Sequence, residues 1–238
     1  MANGIDPRLA VQRGAAVETI DEGRRSFMLS FYNYMGLGLA ITGLVAYAAA
    51  VTGVYVALAQ TPLIWVVMLA PLGFVFFLGM RIQNMSVSTA QLTFWGFAAL
   101  MGLSLGGVLL VFTGESIARV FFVTAATFGA MSLYGYTTRR DLSGWGSFLF
   151  MGLIGVIIAL VVNFFLQSPA LHFAVSVIGV LVFTGLTAYD TQRIKSMYYE
   201  LDASDVAARK AIMGALSLYL NFINMFIMLL HLFGAARD

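Results

Sequence analysis

Asp190 is the one carboxylate that falls within a long apolar stretch of this sequence. It lies in TAYDTQRIK (187–195), at the end of a stretch that begins near residue 170. Placing a charged side chain inside a membrane costs about 2.5–3.5 kcal/mol on insertion scales, so Asp190 is a candidate functional residue. Arg81 and Asn221 fall near the same end of two other apolar stretches. At 1.5 Å per helical residue, all three are expected at similar depth.

A polar stripe is predicted on the last apolar stretch. Asn221, Asn224 and His231 are spaced by three and by seven residues, which places them on one face of a helix. We expect this face to point into the protein. The alternative is that the asparagines only join helices, at about 0.6 kcal/mol each, while Asp190 reaches the membrane surface to pair with Arg193. His231 has a structural role in that interpretation.

The residue types that the sequence lacks argue against an enzyme. Cysteine is absent, and the two histidines, His172 and His231, do not form the H-E-x-x-H motif of zinc proteases. Tyr189-Asp190 resembles the Tyr-Asp of intramembrane aspartyl proteases, but that chemistry needs a second carboxylate to share a proton. No second acidic residue lies inside an apolar stretch. We therefore expect no catalytic residues, no firm metal site and no cofactor.

The elements that hold these residues are long and apolar. Hydrophobic residues make up 61% of the 238 residues and charged residues 10%, against about 25% charged in an average soluble domain. A helix needs about 20 apolar residues to cross a bilayer. Seven segments meet that length, and they cover residues 28–57, 63–82, 87–112, 116–137, 145–166, 170–191 and 211–233.

These segments predict an all-α integral membrane protein. Uninterrupted apolar runs of this length lack the alternation of a membrane barrel, and lipid leaves only helices as the other solution. Residues 28–238 are expected to form one seven-helix transmembrane domain. Residues 1–27 are polar and too mixed in charge for a secretory signal, so we expect a retained, flexible, cytoplasmic N-terminal tail.

The orientation follows from the positive charges. Eleven of the 13 lysines and arginines fall in the tail or in the connections on its side of the membrane. Basic residues collect on the cytoplasmic side, so the N-terminus is predicted to be cytoplasmic and the C-terminus outside. The same pattern accounts for the net charge of +2 without a nucleic acid partner. The expected surrounding is the lipid bilayer, and the arginine-rich composition suggests a bacterial inner membrane.

Three blocks of sequence resemble the bacterial branch of the Bax inhibitor-1 family, the transmembrane Bax inhibitor motif proteins. The blocks are FFVTAATFGAMSLYGYTTRRDLSGWGSFLFMGLIGVI (121–157), TAYDTQRIK (187–195) and LSLYLNFINMFIMLLHLFG (216–234). The likeness extends from about residue 22 to the end. It implies a seven-helix bundle whose last helix is central and wrapped by the other six. It also implies a calcium leak gated by pH.

The resemblance assigns roles to the polar site. Family members carry one aspartate in the sixth helix and one in the seventh, which share a proton and close the pore, and an arginine in the second helix competes in the open state. Asp190 matches the first aspartate and Arg81 matches the arginine. Asn221 stands in place of the second aspartate. Two close carboxylates repel and titrate as a pair, so Asn221 predicts weakened or altered pH gating.

The predicted function is therefore a membrane ion leak, closed by Asp190, Asn221 and Arg81. Calcium prefers six to eight oxygen ligands, so only a weak contact at Asp190 is expected. The alternative is a non-conducting regulator that binds membrane proteases or other membrane proteins through its tail and its Arg139-Arg140 loop. A proton-coupled transporter of small solutes is the third possibility.

Overall fold

The structure is a computed structural model that describes residues 7–237, and the side chains of residues 22–237. In this part of the chain nine α-helices follow one another, with a short 3-10 helix at Ile82–Asn84 after the third. In chain order they are α1 (Pro7–Val51), α2 (Val54–Ala59), α3 (Leu63–Arg81), α4 (Val87–Ser104), α5 (Gly106–Val111), α6 (Gly114–Thr137), α7 (Ser143–Leu166), α8 (Pro169–Ser196) and α9 (Ser204–Phe233).

The predicted all-α fold with seven apolar spans is confirmed. Between residues 22 and 237, seven helical stretches are long and apolar enough to cross a membrane. They cover Glu22–Val51, Leu63–Asn84, Val87–Val111, Gly114–Thr137, Ser143–Leu166, Pro169–Ser196 and Ser204–Phe233. Each predicted segment overlaps one of these stretches, because the length of an uninterrupted apolar run is what allows a helix to cross the hydrocarbon layer.

The N-terminal polar segment differs from the flexible tail that we expected. Helix α1 begins at Pro7, so residues 7–27 continue the first membrane span as a helix, and the first six residues of the predicted tail lie outside the described residues. The apolar content of this segment does not indicate whether it forms a helix. Arginine and glutamate form helices well without being apolar, and both recur here.

Two predicted segments are interrupted. The first ends at Val51 rather than near residue 57, because Gly53 has φ of +75°, a backbone conformation that glycine adopts at no steric cost. The third breaks at Leu105, between α4 and α5. Gly106 follows the break and lies directly against the ring of Tyr55, a contact that a Cβ atom would obstruct.

Side-chain caps mark three of the helix starts. Ser86 accepts a hydrogen bond from the backbone N–H of Thr89 at the start of α4, at 3.1 Å. Thr113 does the same for α6 and Ser168 for α8. Each cap satisfies a backbone donor that a helix leaves unpaired in its first turn.

Helix α9 lies at the centre of the bundle, as the resemblance implies. In its most apolar window 67% of the residues are buried, against 11% to 39% in the other spans. It packs against α1, α4, α6 and α8. Tyr219, near its middle, is fully buried, and its hydroxyl lies 2.6 Å from that of Thr42 on α1. A buried polar group needs such a partner, so this contact fixes α1 against α9.

Helices α6 and α8 approach each other closely near Asp190. Gly135 faces the backbone carbonyl of Ala188, with no room for a Cβ atom between them. Nearby, the hydroxyl of Ser132 lies 3.0 Å from that of Thr191 and also bonds to Tyr32 on α1. These contacts hold α1, α6 and α8 together beside the predicted site.

Candidate functional site

The two ends of the bundle differ in charge. We call the end that carries the 138–142 loop and the 197–203 loop the basic end, because nine of the arginines and lysines whose side chains are described lie there. The other end, which we call the opposite end, carries Arg119 and Arg237. A cavity of about 640 Å³ lies near the basic end, between α3, α8 and α9.

This cavity leads into the bundle as far as Asp190. Its lining on α9 extends from Val206 to Leu220, which is about 20 Å along the helix axis. Apolar side chains such as Val75 and Met213 form much of the wall. Asp190 and Ser217 also line it, so a buried carboxylate faces space that is continuous with the basic end.

Asp190 is held by three side chains. One carboxylate oxygen, Oδ2, accepts a hydrogen bond from the Asn221 amide nitrogen at 2.8 Å and another from the Ser217 hydroxyl at 3.0 Å. The other oxygen, Oδ1, lies 3.8 Å from the Arg193 guanidinium. Asp190 and Asn221 are only 7% and 5% exposed, so the bond between them lies in a buried environment and is stronger than the same bond at a surface.

Helix geometry places each of these partners. Ser217 and Asn221 are four residues apart on α9 and therefore lie on the same face, one turn apart. Arg193 is three residues after Asp190 on α8, so its guanidinium reaches back along the helix surface. With α8 packed along α9, this spacing brings an amide, a hydroxyl and a guanidinium to one carboxylate.

The mouth of the cavity carries two further ion pairs. Arg209 pairs with Asp205 at 2.9 Å and donates to the backbone carbonyl of Met85 at 3.2 Å. Lys210 pairs with Asp202 at 2.6 Å. Helix α9 begins at Ser204, two turns before the predicted residue 211. These ion pairs explain the difference, because paired charges can be placed beyond the apolar part of a helix.

Arg81 does not meet Asp190 in this structure. It is the last residue of α3, its side chain is exposed, and it forms no ion pair with any described carboxylate. Arg193 takes the place that we expected for Arg81. The prediction rested on the similar depth of Arg81 and Asp190, but depth does not determine the direction in which a side chain leaves its helix.

The residues of the predicted polar stripe lie in separate environments. Asn224 donates to the carbonyl of Leu220 in its own helix, at 2.8 Å. His231 is exposed at the opposite end, where its ring lies 4.6 Å from that of His172 and 6.1 Å from that of Phe112, measured between centroids. Neither contacts Asp190, so the polar site consists of the basic-end part of the stripe.

Ser217 contacts Asp190 but is not among the predicted site residues. Its signal was available, since it precedes Asn221 by four residues and so shares its face. The arrangement as a whole provides one carboxylate, one hydroxyl and one amide. No cluster of three or more histidine, cysteine, aspartate or glutamate side chains occurs among the residues that the structure describes.

Comparison with known proteins identifies relatives over nearly the whole chain. The family described as "Inhibitor of apoptosis-promoting Bax1" matches residues 24–238. An uncharacterized protein of Rickettsia prowazekii is 50% identical over 93% of this chain and 94% of its own length. A protein of Caulobacter vibrioides is 48% identical over 92% of each chain.

A third relative has a stated location. The inner membrane protein YbhL of Escherichia coli is 47% identical over 90% of this chain and 94% of its own length. The descriptions of the family and of these relatives name no enzymatic activity. Seven apolar spans, the central α9 and a family match that begins at residue 24 agree with one another, and the chain belongs to the Bax inhibitor-1 family of membrane proteins.

Proposed function

We propose that the protein is a cation leak of the inner membrane, closed at its basic end by Asp190 and the side chains that hold it. The observation that supports this proposal is a buried carboxylate at the inner end of a 640 Å³ cavity. Ionisable groups at membrane depth characteristically mark ion pathways. The excess of positive charge at this end supports a cytoplasmic location for it, with the C-terminus outside.

The contacts of Asp190 explain how the site closes. Asn221 and Ser217 both donate to the same carboxylate oxygen, and Arg193 neutralises part of the charge on the other. A cation that enters the cavity must compete with these three groups for Asp190. One carboxylate with a hydroxyl gives weak binding to calcium, and weak binding suits conduction because an ion must also leave.

Asn221 sets the response to pH. An amide cannot share a proton with Asp190, so the repulsion that makes two carboxylates titrate as a pair is absent. The leak is therefore expected to depend on pH only weakly. Replacing Asn221 by aspartate places a second carboxylate 2.8 Å from the first, at the distance that now separates the amide nitrogen from Oδ2.

The test is calcium flux into liposomes between pH 6 and 8. Wild type is expected to conduct with a shallow pH dependence, Asp190→Ala to conduct faster because the closing contacts are lost, and Asn221→Asp to show a steep pH dependence. Asn224→Asp is the matched control, because it adds the same charge one turn further along α9 without touching Asp190. A steep profile for both aspartate variants would contradict the assigned role of Asn221.

Absence of flux from wild type and all variants, at the level of empty liposomes, would overturn the leak. That result favours the non-conducting regulator, which acts by binding membrane proteases or other membrane proteins. Co-purification from solubilised membranes, with and without residues 1–22, measures that alternative directly. The leak gives residues 1–22 no special task, so their removal should leave flux unchanged.

A further inference from the structure

A cleft of about 320 Å³ lies at the basic end, on the other side of Arg193 from the Asp190 cavity. It is formed by the loop between α6 and α7 together with the last turns of α8, and we call it the arginine cleft. Its polar lining includes Arg139, Arg140, Asp141, Tyr189, Gln192 and Arg193.

The arginine cleft carries an excess of positive charge. Arg139 and Arg140 are exposed and form no ion pair with any carboxylate among the described residues. Asp141 is the one acid that lines the cleft, and it accepts a hydrogen bond from the backbone of Ser143 at 2.8 Å. The side chain and backbone of Ser143 lower the pKa of Asp141, so it stays charged, and three guanidinium groups face one carboxylate.

The loop that presents these arginines is held in place. The Gln192 side chain donates to the backbone carbonyl of Arg140 and accepts from the backbone N–H of Leu142, both at 2.8 Å. One amide thus fixes both sides of the turn to α8. Two adjacent arginines without acidic partners are therefore positioned by the fold rather than left on a loose loop.

The cleft lies at the boundary of the membrane. Helix α7 begins beside it at Ser143, and its first turns present Trp145 and Phe148 outward, 60% and 62% exposed. Their rings pack edge to face with 6.1 Å between centroids. Tryptophan collects where lipid headgroups meet hydrocarbon, so this pair places the arginines at headgroup level.

We propose that the arginine cleft binds the phosphate of an anionic phospholipid headgroup. Guanidinium groups bind phosphate through paired hydrogen bonds, and basic pockets between membrane helices take anionic headgroups. The lipid chains would lie along the exposed apolar face of α7, and that face begins at Trp145. This placement favours a lipid over an acidic peptide, because a peptide has no use for the apolar surface beside the cleft.

Arg193 connects the two sites. It lines both the arginine cleft and the cavity that contains Asp190, and its distance of 3.8 Å from Asp190 is long for an ion pair. A phosphate in the cleft competes with Asp190 for this guanidinium. Binding in the cleft and pairing at Asp190 therefore oppose each other.

Quenching of tryptophan fluorescence by brominated lipids tests the proposal without measuring ion flux, so its outcome is independent of the proposed leak. Trp65→Phe/Trp95→Phe leaves Trp145 as the one tryptophan, beside the cleft. Trp95→Phe/Trp145→Phe leaves Trp65, which is 56% exposed at the opposite end. Each protein is placed in bilayers that contain dibromo-phosphatidylglycerol or dibromo-phosphatidylcholine.

We expect Trp145 to report a preference of about tenfold for phosphatidylglycerol, and Trp65 to report no preference. Arg139→Gln/Arg140→Gln should abolish the preference at Trp145. Arg25→Gln is the control, because it removes a positive charge from the same end outside the cleft. Equal quenching by both lipids in wild type, or an equal loss in the Arg25→Gln protein, would overturn the site.

Two further results separate the remaining explanations. Inorganic phosphate should reduce the preference no more than sodium chloride of equal ionic strength, and selective loss would show a site for free phosphate instead. Asp190→Asn should raise the preference about twofold, since Arg193 then has no carboxylate partner. An unchanged preference in that variant would overturn the competition for Arg193.

Discussion

In the proposed leak, the two ends of the bundle are closed by different kinds of contact. At the basic end, closure rests on side chains, since Asn221, Ser217 and Arg193 hold Asp190 beside a large cavity. At the opposite end, closure rests on the backbone. Residues 235–237 return across residues 111–113, with backbone hydrogen bonds of 3.0 Å from Thr113 and 2.8 Å from Arg237.

This difference indicates which end can open more easily. Side-chain contacts around one carboxylate change with a rotamer or with an arriving cation, and the helices need not separate. The paired backbone groups must lose two hydrogen bonds together before that end opens, which costs more. This difference supports placing the proposed gate at the basic end, and variants at each end can test it.

The largest expected effect is at the contact between α6 and α8, which supports the side-chain closure. In Gly135→Ala the new Cβ atom would meet the carbonyl of Ala188, two residues before Asp190. Because backbone cannot move aside as a side chain can, we expect a loss of about 3 kcal/mol in the free energy of unfolding. Thermal unfolding of the detergent-solubilised protein measures it.

The same helix provides the control for that variant. Gly129 has open space where its Cβ would lie. Gly129→Ala is expected to be neutral or to stabilise by up to about 1 kcal/mol, since alanine favours a helix more than glycine does. Equal melting temperatures for the two alanine variants would show that α6 and α8 are not in close contact near Asp190.

An intermediate effect is expected at the polar site itself. Asn221→Ala removes a donor from a buried carboxylate, which should cost about 2 kcal/mol. Asn224→Ala removes only a bond to the carbonyl of Leu220 in its own helix and should cost well under 1 kcal/mol. Thermal unfolding of the two variants measures the difference. Similar losses of stability in the two variants would mean that the bond from Asn221 to Asp190 stabilises the protein no more than the bond from Asn224 to the carbonyl of Leu220.

The seven spans and the meeting of Asp190 with Asn221 could be predicted from the sequence. Long apolar runs determine the spans, because a bilayer tolerates little else. The pairing followed from the equal depth of the two residues and from the family resemblance. The bundle positions α8 along α9 so that the predicted contact forms at 2.8 Å.

The remaining details depend on interactions that apolar content does not show. Helix α9 starts at Ser204 because Asp205 and Arg209 pair across one turn outside the apolar segment. The position of Arg81 depends on the rotation of α3, which packing sets and a single hydropathy pattern does not encode. Ser217 was visible in the four-residue spacing to Asn221 but carries no charge to draw attention to it.

The smallest expected effect is at the opposite end, where one hydroxyl supports the backbone closure. Ser116 on α6 accepts a hydrogen bond from the backbone N–H of Ala235 at 2.8 Å, beside the pairing of residues 111–113 with 235–237. Ser116→Ala leaves that donor without its partner. Because the backbone pairing stays, we expect faster amide exchange at residues 234–237 and a loss of at most about 1 kcal/mol overall.

Hydrogen exchange followed by mass spectrometry measures this effect, with Ser176→Ala as the matched control. The Ser176 hydroxyl is also buried near this end, but it donates to the carbonyl of His172 in its own helix and does not touch the C-terminal residues. Faster exchange in the Ser116 variant alone would show that side chain and backbone together close the opposite end. If amide exchange also became faster at residues 217–221, the two ends would not be independent of each other. That result would contradict the contrast between a side-chain closure at one end and a backbone closure at the other.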